Sequence, residues 1–176
     1  MKLILSCLVL VLGAMTPTVA AAQFSADSTA DTLLYADDTV SVDGVITMTG
    51  QADIRQGDVR LLADKVQIYT AGNGNGGAIS TDRIDRVVAT GNFYYITPEQ
   101  EVRGEKGVYT AVNDSFVVTG DVVLLQDDSV VSGSRLDYNL TTREAKVSGT
   151  CSGRKCPKEQ RVAILIRSVN NPQAIN

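Results

Sequence analysis

A hydroxyl residue followed by glycine returns four times along this chain, at Thr49-Gly50, Thr90-Gly91, Thr119-Gly120 and Ser148-Gly149. Gly91 to Gly120 and Gly120 to Gly149 are equal steps of 29 residues, while Gly50 to Gly91 is 41. The longer step contains Gly72-Asn73-Gly74-Asn75-Gly76-Gly77, which reads as a surface loop inserted into one copy. That loop lacks the closely spaced carboxylates of a calcium turn. Other positions keep step with the glycine. Thirteen residues beyond it lie Ala63, Gly104 and Gly133, and eighteen beyond it Ile68, Tyr109 and Tyr138. A register held over three copies implies one supersecondary unit, repeated.

The unit is built of strands. Apolar residues sit two and four positions before and after the glycine, as in Ile46, Met48, Ala52 and Ile54, or Phe116, Val118, Val122 and Leu124. Period two places them on one face of a sheet, and Thr47, Asp53, Arg55, Asn92, Asp121 and Lys146 on the other. The glycine stands where a hairpin turns or a strand bulges, since it takes positive φ freely. Each copy is expected to continue through further short strands, such as Val130–Ser132 and Arg135–Asn139, for roughly fourteen to sixteen antiparallel strands in all. The fold class is therefore all-β, made of repeated antiparallel hairpins.

The inward face is assigned to Ile46, Met48, Ile54, Val87, Phe93, Tyr95, Tyr109, Phe116, Val118, Val122, Leu124, Leu136 and Tyr138, with Leu61, Val66, Ile68, Val102, Val131 and Val147 beside them. Such a set fills an ordinary core. It also suits a stack of hairpins bent along one seam, which leaves a continuous apolar groove; each buried acyl methylene would contribute about 0.8 kcal/mol there.

Residues 1–22 read as an export signal: Met1-Lys2, an apolar run from Leu3 to Met15, and the small-residue cleavage pattern Ala20-Ala21-Ala22. The run is shorter than the roughly 20 residues that span a bilayer. Removal of this segment takes Cys7 with it and leaves Cys151 and Cys156, an even pair that predicts a structural disulfide in an oxidising compartment. Segments 23–32 and 168–176 are expected to be flexible ends of a domain spanning 33–167.

The 176 residues carry a formal net charge of −4, which argues against nucleic acid as partner. There is no histidine, so the commonest general base and metal ligand is missing. Adjacent carboxylates such as Asp37-Asp38 and Asp127-Asp128 would point to opposite faces of a strand and make no acid–base couple. Gly104-Glu105-Lys106-Gly107 precedes no helix and is no phosphate loop. Neither enzymatic activity nor a metal or cofactor is expected. Arg103, Lys106, Arg135 and Arg143 are placed outward by the alternation, as surface charges.

Thr90-Gly91-Asn92-Phe93 with Gly104-Glu105-Lys106-Gly107-Val108-Tyr109, and Thr119-Gly120-Asp121-Val122 with Gly133-Ser134-Arg135-Leu136-Asp137-Tyr138, resemble the OstA-like repeat of the periplasmic lipopolysaccharide-transport proteins. The turn Tyr138-Asn139-Leu140-Thr141-Thr142-Arg143 is similar to that family's as well. The likeness covers about residues 33–150, and the export signal and compact length suit the soluble bridging, LptA-like members. It implies an open, twisted β-jelly-roll in the periplasm, with the lipid A acyl chains of lipopolysaccharide in its groove. It also implies head-to-tail self-association and inner- and outer-membrane transport partners. The Cys151–Cys156 loop and Val162-Ala163-Ile164-Leu165-Ile166 fall outside the repeats, and read either as an edge strand for the next molecule or as a cap. The competing class is a secreted structural β-repeat with a fully packed interior and no cargo.

Overall fold

Three of the four hydroxyl-Gly pairs bend strands without ending them. Residues 30–70 and 84–167 are described by a computed structural model. The export signal at 1–22, most of segment 23–32, the Gly72–Gly77 loop and the 168–176 tail lie outside the described residues. Ten strands follow in order: β1 (Thr32–Tyr35), β2 (Asp38–Val42), β3 (Val45–Gln56), β4 (Val59–Thr70), β5 (Ile84–Ile96), β6 (Gln100–Thr110), β7 (Ser115–Gln126), β8 (Ser129–Asn139), β9 (Ala145–Ser148) and β10 (Ala163–Ile166). They form one open antiparallel sheet in which β3 to β8 lie side by side in chain order.

The expected fourteen to sixteen short strands are thus replaced, among the described residues, by fewer and longer ones, six of them 11–13 residues long. Val130–Ser132 and Arg135–Asn139, expected as separate strands, belong to the unbroken β8. The reason is in the ladder. Register slips between Thr49 and Ala52, Thr90 and Phe93, and Thr119 and Val122. Gly50-Gln51, Gly91-Asn92 and Gly120-Asp121 all take positive φ at these points. Each pair is a β-bulge, which inserts an extra residue and sharpens the bend while pairing resumes beyond it.

The bulges align across β3, β5 and β7, so the whole sheet folds along one seam into two walls. Wall A comprises β2, β9 and the halves of β3–β8 on their side of the seam; wall B comprises β1, β10 and the other halves. Rings from opposite walls meet: Phe116 of wall A lies 5.5 Å from Phe93 and 5.1 Å from Tyr95 of wall B. The small residues thirteen beyond each bulge now have a cause. A Cβ on Gly104 would lie 2.5 Å from Val118 Cγ1, and one on Gly133 2.6 Å from Val147 Cγ1.

Both edges of the sheet break at the seam. β1 pairs with Asp53–Gln56 and β2 with Val45–Thr49 of β3, and between them the Asp37 N–H donates to Gly50 O at 3.0 Å. At the far edge β9 pairs with Arg135–Tyr138 and β10 with Ser129–Ser132 of β8. The fourth hydroxyl-Gly pair ends β9 and bends nothing, because the chain leaves the sheet there. The excursion carries the predicted Cys151–Cys156 disulfide, and the Cys151 N–H donates to Gln160 O at 3.2 Å.

Among the described residues one charged group, Asp53, is buried, on the outer surface of wall B. The Asp53 carboxylate accepts paired hydrogen bonds from Arg60 (2.9 and 2.8 Å) and from Arg55, whose guanidinium lies over Tyr35. The Arg60 bonds above all hold the Asp53 carboxyl down at about 2, against burial that raises it and with Arg55 assisting. A carboxyl depressed from its ordinary 3.8 lends stability that is complete above pH 4 and disappears as pH falls through about 2. In urea unfolding, Asp53→Asn should therefore lose about 1–2 kcal/mol relative to wild type at pH 6, and much less at pH 2.

Candidate functional site

The inner surface of the folded sheet is the candidate site. Every residue assigned inward by alternation lies on it. Ile46, Met48, Ile54, Val87, Phe93, Tyr95, Tyr109, Phe116, Val118, Val122, Leu124 and Leu136 are buried in one cluster, and Tyr138 is half-buried against it. Cross-strand register arranges them in rows. On wall A, Ile46, Ile68, Val87, Tyr109, Phe116 and Tyr138 are successive partners. On wall B the row runs Ile54, Leu61, Tyr95, Val102, Leu124 and Val131.

The rows differ along their length. Residues on β3 to β7 are sealed between the walls, with Phe93 and Val118 at 0% exposure. Towards the far edge Val131 and Tyr138 on β8 and Val147 on β9 are only half-buried. The row then reaches β10, where Ile164 pairs with Val131 at 65% exposure. The near edge is unlike this. There wall A ends on the hydroxyls of Thr39 and Ser41, partners of Met48 and Ile46. Wall B ends on Leu34, half-buried beside Ile54, and on Thr32, whose hydroxyl accepts from Gln56 Nε2 at 3.0 Å. The inner face is therefore less covered towards the β8–β9–β10 end, and its exposed row there is apolar.

Turn contacts set where wall A stops. The Tyr109 and Thr141 hydroxyls donate to the Asp114 carboxylate at 3.2 and 3.0 Å, and the Leu140 N–H donates to Asp114 O. The Thr142 N–H donates to Asn139 Oδ1 at 2.7 Å. These bonds join the β6–β7 and β8–β9 turns and close over the buried Leu140.

The basic residues stand outside, as the alternation places them. Arg103 pairs with Glu101 and stacks on Tyr94, Arg135 pairs with Asp137, and Lys106 and Arg143 are exposed. Ile164 and Ile166, and Leu34 at the other edge, are inner-face residues that sequence reasoning missed. Val162 to Ile166 is apolar throughout, so alternation assigns it no parity.

Residues 23–144 match the family model described as LptA/(LptD N-terminal domain) LPS transport protein. The chain belongs to this family. By that description its members are proteins of lipopolysaccharide transport. The chain is also 31% identical, over 108 residues, to a protein known as uncharacterized protein R00383 of Rhizobium meliloti (strain 1021). The matched region is 60% of this chain and 57% of that relative, so it spans somewhat over half of the relative's length. A crystal structure of LptH from Pseudomonas aeruginosa, described as the LptA-homologous periplasmic component of the lipopolysaccharide transport device, is similar with a TM-score of 0.64. At 18% identity, over 81% of this chain and 99% of LptH, that similarity establishes a shared open jelly-roll fold.

Proposed function

We propose that this member of the family is a periplasmic carrier that shields the lipid A acyl chains of lipopolysaccharide between its two walls. The observation that carries this reading is the exposure gradient: an unbroken apolar row, sealed at its centre, that opens at the β8–β9–β10 end. The cargo-contacting residues are those of the inner rows, from Ile46, Met48 and Ile54 through Val87, Phe93, Tyr95 and Tyr109 to Phe116, Val118, Val122, Leu124, Leu136 and Tyr138. Acyl chains entering at the mouth part the walls and replace wall-to-wall contacts. Each methylene transferred from water contributes about 0.8 kcal/mol, so a chain of ordinary length offsets the contacts it displaces.

The split edges suit head-to-tail assembly. Six alternating strands separate them, so β1 and β2 run opposite to β9 and β10. A second copy laying β1 beside β10, and β2 beside β9, would continue the antiparallel ladder across both walls, satisfying edge N–H and C=O groups. The same edges would serve inner- and outer-membrane transport partners. Light scattering should show mass growing with protein concentration; a strict monomer at high concentration would mark the edges as capped.

Full burial of Phe93 and Val118 favours a second reading, a packed structural β-repeat without cargo. Photo-crosslinkers separate the two. One at Phe93 or Phe116 should label bound lipopolysaccharide, and one at Asn92 on the seam should not. Absence of labelling, together with no lipid on the purified protein by native mass spectrometry, would leave the structural reading.

A further inference from the structure

We propose that β10, a strand outside the repeats, is a lipid-contacting end wall of the groove, with Ile164 and Ile166 gripping acyl chains at the mouth. This presupposes the acyl cargo proposed above and adds residues that neither the repeat nor the family match reaches, since that match stops at residue 144.

The register makes the case. Tyr95, Val102, Leu124, Val131 and Ile164 are successive cross-strand partners on the inner face of wall B. Tyr95 and Val102 are each 2% exposed, whereas Ile164 is 65% exposed. Ile166, two residues on, shares that face at 75%. Edge strands in soluble proteins are normally blunted with charge or proline. β10 carries Ala163-Ile164-Leu165-Ile166 instead, with none of either. An inward isoleucine on a row that leads out of a sealed apolar interior faces the contents of that interior, whether or not a second copy's β1 pairs with the strand's edge.

β10 is also held in place at both ends. Before it, the Cys151–Cys156 disulfide closes a small loop whose Cys151 N–H donates to Gln160 O. Gly149 passes so close to Gln160 that a Cβ there would lie 2.3 Å from its carbonyl oxygen. After it, the Arg167 N–H donates to Asp128 O at 3.1 Å, in the turn between β7 and β8. The pairing itself spans only four residues of β8, so these ties decide how firmly the end wall stands.

The test uses the oxidised full chain with purified lipopolysaccharide as probe. A photo-crosslinker is placed at Ile164, at Leu165 on the opposite face, or at Tyr138, an inner-face residue of the cargo reading. Labelling at Ile164 and Tyr138 but not at Leu165 is the expected result. Labelling at Tyr138, with Ile164 no better than Leu165, overturns the end-wall role and leaves the carrier reading intact. Labelling at none of the three removes both. The joint variant Ile164→Asp/Ile166→Asp, on an exposed strand, should weaken lipopolysaccharide binding by about tenfold, the loss of about two methylenes' burial; unchanged affinity overturns the role independently. In Cys151→Ser/Cys156→Ser, Ile164 labelling should fall towards the Leu165 level while Tyr138 labelling persists. Equal Ile164 labelling with and without the disulfide would show that the loop does not hold the end wall.

Discussion

Phe93→Ala should lower the free energy of unfolding by about 3–5 kcal/mol. Phe93 is wholly buried, and its ring is one of those by which wall B meets wall A, tilted against Phe116 at 5.5 Å. It also explains a glycine. A Cβ at Gly107 on wall A would lie 2.5 Å from Phe93 Cε2, so the ring lies directly over backbone. Truncation removes that contact and leaves a void that a rigid sheet closes poorly, because neither wall can approach without unbending at the seam. Two comparisons make the interpretation specific. Asn92→Ala, one residue away, removes an exposed amide bond to Asp64 and puts alanine at a left-handed position that asparagine tolerates better, and should cost about 1–2 kcal/mol, less than the loss of the ring. Gly107→Ala should destabilise the wild type by about 1–3 kcal/mol through overpacking, yet be nearly neutral in the Phe93→Ala background. Denaturant unfolding of the four chains measures the coupling; additive losses would mean that Phe93 and Gly107 do not share the site.

The same residues show how much was legible in the sequence. Alternation about each hydroxyl-Gly pair placed Phe93, Phe116 and the rows beside them on one face, because the nearest apolar positions across each two-residue αL bulge are four apart, an even spacing. Turn and bulge were not distinguishable, because both place glycine at positive φ. That ambiguity accounts for the inflated strand number, and only the ladder beyond Gly91 and Gly120 resolves it. The register also gave no sign that the walls would close on each other, since that depends on ring contacts between residues such as Tyr95 and Phe116, 21 positions apart. The mouth was hidden for a different reason. β10 is apolar on both faces, and its inward side is set by pairing with β8 alone.

Gly120→Ala should destabilise by about 2–5 kcal/mol, and its cost should divide into two parts that a second substitution separates. Gly120 holds φ +80 in the β7 bulge, and an added Cβ would lie 2.4 Å from the Glu105 carboxylate oxygen. Left-handed backbone costs an L-residue about 1–2 kcal/mol wherever it occurs. The remainder is displacement of the Glu105 side chain, which packs over the bulge as Asp64 does over Gly91 and Asp37 over Gly50. In Glu105→Gly, which also removes the Cβ that would lie 2.6 Å away, the steric part should vanish, so Gly120→Ala made there should cost only the backbone part, about 1–2 kcal/mol. Asp64 and Glu105, the acidic residues before Lys65 and Lys106 in two copies of the repeat, thus belong to the seam, where each carboxylate covers the bulge of the neighbouring strand. If Gly120→Ala cost the same in both backgrounds, the carboxylate would be an unconstrained surface group, and the seam would depend on glycine's backbone freedom alone. Because the seam sets the angle between the walls, the variant should also change lipopolysaccharide binding by more than its distance from the inner rows would suggest. Titration at a temperature where both chains remain folded measures that change.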